Sequence, residues 1–122
     1  MIGKQTKGTS FSGCVCYVLR EYKSKLLEAI GVEGTPEQMA EQFELQTLLN
    51  DKVKNTVGHT SLNFSPEDGE RLHHDDALML QIAHDYMEKM GIADTQYVVA
   101  RHTDREHPHC HIVFDRVNND GK

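Results

Sequence analysis

Residues 102 to 111 read His102-Thr103-Asp104-Arg105-Glu106-His107-Pro108-His109-Cys110-His111. His109 and His111 are two positions apart, so in a strand rising roughly 3.3 Å per residue their side chains share one face about 7 Å apart, and both rings can reach one ion. His102 closes the β-prone segment that precedes them, and a short polar loop returns it alongside the pair as a third nitrogen donor. Three imidazoles leave coordination positions open for substrate oxygens and water, which is a catalytic rather than a structural arrangement. Eight histidines are present, and a solvated loop or strand would explain any one of them. Convergence of three at one end of a hairpin, pinned by Ile112, Val113 and Phe114, favours a metal. His73, His74 and His84 lie along an acidic amphipathic pattern, where a solvated helix face accounts for them.

The elements that must position this constellation follow from periodicity. Phe11, Cys14, Val15, Val18, Leu19 and Tyr22 form one helical stripe, predicting a helix over 11–22 that packs on a sheet. Thr35-Pro36-Glu37-Gln38 supplies an N-cap, a first-turn proline and a capping-box glutamine for a second helix, from Pro36 to about Leu49. Thr56 to Phe64 alternates, with Thr60, Leu62 and Phe64 on one face and His59, Ser61 and Asn63 on the other, as a half-buried strand would. Ser65-Pro66-Glu67-Asp68 caps a long helix carrying Leu72, Leu78, Ile82, Tyr86 and Met90 and ending at Gly91. Gln96–Arg101 and Cys110–Val117 then pair as an antiparallel hairpin. With a short first strand at Ile2–Lys4, the expected class is α+β: a small antiparallel sheet with helices packed on one face.

The 122 residues, 38% hydrophobic, suit one domain over 1–122 with a single core. The polar run Asn118-Asn119-Asp120-Gly121-Lys122 after an apolar strand reads as the start of a connection, so an N-terminal fragment of a longer protein is expected. No apolar run is long enough to span a membrane, and the N-terminus lacks the apolar core of a secretory signal. A cytoplasmic protein without membrane insertion is expected. Three cysteines, Cys14, Cys16 and Cys110, argue against a disulfide framework. The net charge of −6 opposes general nucleic-acid binding, which needs Lys and Arg against phosphates. The acidic residues, however, cluster in the two later helices, while Lys4, Lys7, Arg20, Lys23, Lys25 and Arg101 lie near the histidines or the first helix in sequence, and a bound cation would add positive charge.

The pattern His-x-Asp-x-x-x-x-His-x-His resembles the third motif of mobilisation relaxases, DNA strand transferases of the HUH endonuclease superfamily. Pro108 and Arg116-Val117-Asn118-Asn119-Asp120-Gly121 are similar to Bacteroides-type members, and the resemblance runs from Lys7 to Gly121. It implies a palm-like relaxase fold in which His102, His109 and His111 bind a divalent ion, Mg²⁺ or Mn²⁺ before other transition metals. It also implies that Asp104 orients a histidine ligand or accepts the nucleophile's proton; a carboxylate behind an imidazole is the usual outer support of a metal site. The family often has Asn four residues after the last metal histidine, where this chain has Asp115. The resemblance further implies nicking of single-stranded origin-of-transfer DNA through a 5′-phosphotyrosine adduct, with an accessory mobilisation protein and a coupling protein as partners.

The family's Phe-x5-Tyr pattern matches Phe11 to Tyr17, making Tyr17 the implied nucleophile, with Tyr22 as rival. At 100° per residue Tyr22 falls inside the apolar stripe, whereas Tyr17 lies about 130° from its centre, on the accessible side. A Ser-containing motif near the nick resembles Val57–Phe64 and carries Ser61 over as a DNA contact. Lys4, Lys7 and Arg20 are candidates for phosphate contacts, although solvated surface charge explains each singly. Two other readings stand beside this one. A rolling-circle replication initiator of the same superfamily also uses a histidine pair and a tyrosine, but its tyrosine usually follows the pair, and none follows Tyr97 here. A non-catalytic zinc module would use the cysteines, yet Cys14 and Cys16 diverge by about 200° on a helix and Cys110 points away from its neighbouring histidines in a strand.

Overall fold

The computed structural model describes residues 2–19, 24–65, 67–68, 72, 75–102 and 109–122. In chain order the elements are β1 (Ile2–Gly8), α1 (Phe11–Val18), β2 (Ser24–Ile30), α2 (Pro36–Thr47), β3 (Val57–Asn63), α3 (Asp76–Met90), β4 (Tyr97–His102) and β5 (His109–Asp115). The five strands form one sheet in the order β1-β3-β5-β4-β2, and every neighbouring pair is antiparallel. The class is α+β, with three helices on an antiparallel sheet.

The helices, expected on one face, cover both. Phe11, Val15 and Val18 of α1 and Met39, Ala40 and Phe43 of α2 pack with Val57, Val98, Ala100 and Val113. Met79, Ala83 and Met87 of α3 pack with Leu62, Tyr97, Val99, Cys110, Ile112 and Phe114 on the other side. Strand parity explains this: all residues of β4 and β5 are buried, and a strand apolar at both odd and even positions must be covered on both sides. The order β1-β3-β5-β4-β2 puts this doubly covered hairpin in the middle of the sheet.

Local capping follows the sequence closely. Ser10 Oγ accepts from the Gly13 amide at 3.1 Å to open α1. Thr35 Oγ1 accepts from the Gln38 amide at 3.1 Å while Gln38 Oε1 accepts from the Thr35 amide at 2.9 Å, the complete capping box. Phe11 stacks on Phe43 with ring centroids 4.8 Å apart, tying α1 to α2.

Other boundaries differ. The first strand runs to Gly8 rather than Lys4. Strand β2 is absent from the sequence prediction because its register shifts between Leu26 and Glu28; the extra residue, Leu27, interrupts the alternation that would have marked it. Helix α3 starts at Asp76, with Asp75 Oδ1 accepting from the Leu78 amide, although Ser65 Oγ does accept from the Asp68 amide at 3.2 Å as its capping pattern predicts. The buried centre of α3 is Met79, Ala83 and Met87, and Met90, expected in the stripe, is exposed.

Candidate active site

Antiparallel pairing builds the site one residue at a time. His102 of β4 is the Cα partner of His109, and Ala100 of His111. Directly opposed residues share a face, so all three histidines project to the side covered by α1. Ring centroids are 3.9 Å apart for His102–His111, 5.1 Å for His109–His111 and 5.3 Å for His102–His109. One ligating atom from each ring lies within 4.8 Å of the others, and all three residues are buried. Imidazoles separated along the strand by two rises thus lean together, closer than their backbone spacing.

The donor set fits an ion. His102 Nε2 lies 2.8 Å from the Val18 carbonyl. A carbonyl only accepts, so Nε2 carries a proton, and in the neutral ring the lone pair falls on Nδ1. A protein acceptor on the outer nitrogen is the usual support for a metal-binding imidazole. No cysteine belongs to the group: Cys110 is buried in the opposite face's core, where desolvation pushes its thiol up to about 12, and burial pushes Cys14 up to about 11. Cys14 packs against the α1 side's core and Cys110 lies in the other, so the thiols are not gathered with the histidines as a zinc module would need.

Tyr17 stands over these rings. Helix α1 buries Phe11, Val15 and Val18, which turns Tyr17 outward, and it is 47% exposed. Its ring meets those of His102, His111 and His59 edge-on, with centroids 6.0, 6.3 and 6.5 Å away. Tyr22, its rival, lies outside the described residues, as do Arg20 and Asp104.

Residues 17–122 match the family described as Relaxase: MobA/VirD2-like, nuclease domain. The chain belongs to this relaxase family. The match begins at Tyr17 and takes in β2 to β5 with α2 and α3. No curated protein matches the chain.

Within the relaxase domain, Lys4, Ser61 and His111 occupy successive positions of one row across β1, β3 and β5. Lys4 is exposed and Ser61 half-buried, so both lie on the histidine face. Lys7 is paired with Gly58, which is itself opposite Phe114. Strand parity therefore puts Lys7 on the opposite face, away from the histidines. Lys25 is also drawn off, bonding Asp76 at the start of α3, where Arg101 Nε bonds the same carboxylate at 2.7 Å.

His59 is the residue that sequence reasoning missed. Its Nε2 lies 2.6 Å from His111 Nδ1, and burial, then the charge of His102, lower its pKa. The signal was present in β3, because His59 alternates onto the face of Ser61. His84, read as solvated, is half-buried and 2.8 Å from Glu28 Oε1, which also accepts from Tyr97 Oη at 2.7 Å. These contacts fasten α3 to β2 and β4. Asp115 lies on the histidine face two alternations beyond His111, 1% exposed. Its Oδ1 accepts from the Val117 amide at 2.9 Å, and desolvation pushes its carboxyl up to about 7.

Proposed function

We propose that this domain nicks one strand of DNA at an origin of transfer and retains the 5′ end as a phosphotyrosine ester on Tyr17. The observation that carries the reading is the placement of an exposed Tyr17 edge-on to His102, His111 and His59. The phenolic oxygen bonds to phosphorus as the bond from phosphorus to the 3′ oxygen breaks, and the phenolic proton ends on the departing 3′-hydroxyl. One phosphodiester is exchanged for another, and since a phenol of pKa about 10 leaves more readily than an alkoxide, rejoining needs no ATP.

A divalent ion held by His102, His109 and His111 would neutralise and polarise the scissile phosphate. An all-imidazole set suits Mn²⁺ or another transition ion better than Mg²⁺, which prefers oxygen donors. Tyr17 is held by α1 through the buried Phe11, Val15 and Val18, with the residue about half exposed. Asp104 takes the phenolic proton and passes it on toward the departing 3′ oxygen, or orients a ligand, as the family resemblance implies. Ser61 and Lys4 line the strand's approach on the histidine face, with Arg20 as a further phosphate contact; Lys7 has no part there. Accessory mobilisation and coupling proteins act as partners, in the cytoplasm. Among the described residues no helix is long and apolar enough to cross a membrane.

The test is a denaturing gel of single-stranded oligonucleotide spanning the element's transfer origin, incubated with Mn²⁺ and protein. A metal-dependent covalent band in the wild type that Tyr17→Phe loses supports the reading. Loss in Tyr22→Phe instead would move the nucleophile, and absence of any adduct in the wild type would remove the catalytic claim.

A further inference from the structure

The contact between His59 Nε2 and His111 Nδ1, 2.6 Å long, has no part in the reaction set out above. The two ring centroids are 4.9 Å apart with planes 28° apart, so the rings meet edge to edge through these nitrogens. His59 reaches His111 diagonally across the ladder, since Ser61 is the Cα partner of His111 and Val113 that of His59. Of the two nitrogens in a neutral imidazole one donates and one accepts, so such a contact needs an N–H on one ring facing a lone pair on the other. His59 does not belong to the group whose ligating atoms lie mutually close; that group is His102, His109 and His111. If His111 is to offer Nε2 to an ion, its proton must sit on Nδ1, the nitrogen that meets His59.

We propose that His59 is a positioning residue whose Nε2 accepts the Nδ1 proton of His111, holding His111 in the tautomer with its lone pair on Nε2. This rests on the metal-site reading of the triad. It makes His111 the counterpart of His102, whose outer nitrogen is engaged by the Val18 carbonyl. The hairpin supplies the donors, while α1 and β3, both earlier in the chain, fix through Val18 and His59 which nitrogen of two of them carries the proton. Outer-shell partners of this kind orient the ring and raise its basicity, and losing one typically weakens metal binding 10- to 100-fold, on the order of what a ligand's reorientation costs.

The experiment reads the His111 tautomer by ¹⁵N NMR of histidine-labelled, metal-free protein and Mn²⁺ affinity by calorimetry, in wild type, His59→Ala and His59→Gln. The wild type is expected to carry the proton on His111 Nδ1. His59→Ala should populate the other tautomer and bind Mn²⁺ roughly 10- to 100-fold more weakly. His59→Gln, whose amide oxygen can accept the same proton, should restore both. An unchanged tautomer and affinity in His59→Ala overturn the positioning role while leaving the metal site standing. Weak binding in His59→Gln despite a restored tautomer makes His59 a direct ligand and also overturns it. A wild type that binds no Mn²⁺ removes the metal reading and this inference together.

Discussion

The ring of Tyr17 meets that of His102 edge-on with 6.0 Å between centroids, and the residue after Tyr17 supplies the carbonyl to which His102 Nε2 donates. The helix that carries the tyrosine is thus bonded directly to a metal-binding candidate in the sheet. Val18 is wholly buried in the core cluster that also holds Val98 and Ala100, so the end of α1 is anchored beside the strand that carries His102. A preset distance of this kind suits a transesterification, in which most of the protein's contribution is holding the attacking oxygen in line with phosphorus.

Because Tyr17 is 47% exposed and outside the α1 packing stripe, Tyr17→Phe is expected to change unfolding free energy by less than about 0.5 kcal/mol, the usual range for surface substitutions. If Tyr17 is the nucleophile proposed above, adduct formation should fall by at least about 100-fold. Urea unfolding and the denaturing gel check the two halves. A variant that unfolds at markedly lower urea would reassign Tyr17 to a structural task.

Mn²⁺ is expected to stabilise the wild type by RT ln(1 + [L]/Kd), about 2.7 kcal/mol at 100 times Kd, and His109→Ala should abolish that gain. Chelator should leave the fold intact, because both cores are built from apolar side chains outside the triad. Thermal melts with Mn²⁺ and with EDTA measure both effects. Unfolding on chelation would mark the site as structural.

Gly58 lies under the ring of its β5 partner Phe114, and a Cβ there would stand 2.2 Å from Cζ. Gly58→Ala must displace a packed ring in the middle of the sheet, and overpacking of this kind costs about 1–3 kcal/mol. The melting temperature is expected to fall by about 4 °C or more for a domain of this length. An unchanged melt would mean that Phe114 has room to turn away.

The hairpin, the α2 capping box and the alternation of β3 were legible in the sequence because each is local: two-residue periodicity, a turn, a cap. The triad was legible for the same reason, since one hairpin carries all of it. The bulge at Leu27 hid β2, and with it the site of Glu28, whose pairing with His84 spans 56 residues. The face of Lys7 was not legible, because β1 continues past Lys4 to Gly8 and only that longer strand gives Lys7 a parity. The alternation of β3 gives His59 its face beside Ser61, but its closeness to His111 depends on a register, Ser61 opposite His111, that no single segment encodes.

Asp115 is the residue where this chain departs from the family's frequent Asn, and its burial has a consequence for stability. Its carboxyl is pushed up to about 7 by desolvation, while Oδ2 is buried with no hydrogen-bond partner among the described residues. An unfolded aspartate titrates near 3.9. Between about pH 4 and 7 the folded protein therefore holds a proton that the unfolded chain has released. Stability present below the unfolded pKa is lost as pH rises through that window and stays low above it. Asp115→Asn cannot ionise and keeps an oxygen for the Val117 amide, so it should escape this loss. The variant and wild type are expected to match near pH 4 and diverge as pH rises, the variant being more stable by about 1–3 kcal/mol at pH 8, in line with about 1.4 kcal/mol per unit of a pKa shift. Urea unfolding of both proteins from pH 4 to 8 measures the divergence. Parallel curves across that range would show that Asp115 titrates as an ordinary carboxylate, with water reaching Oδ2.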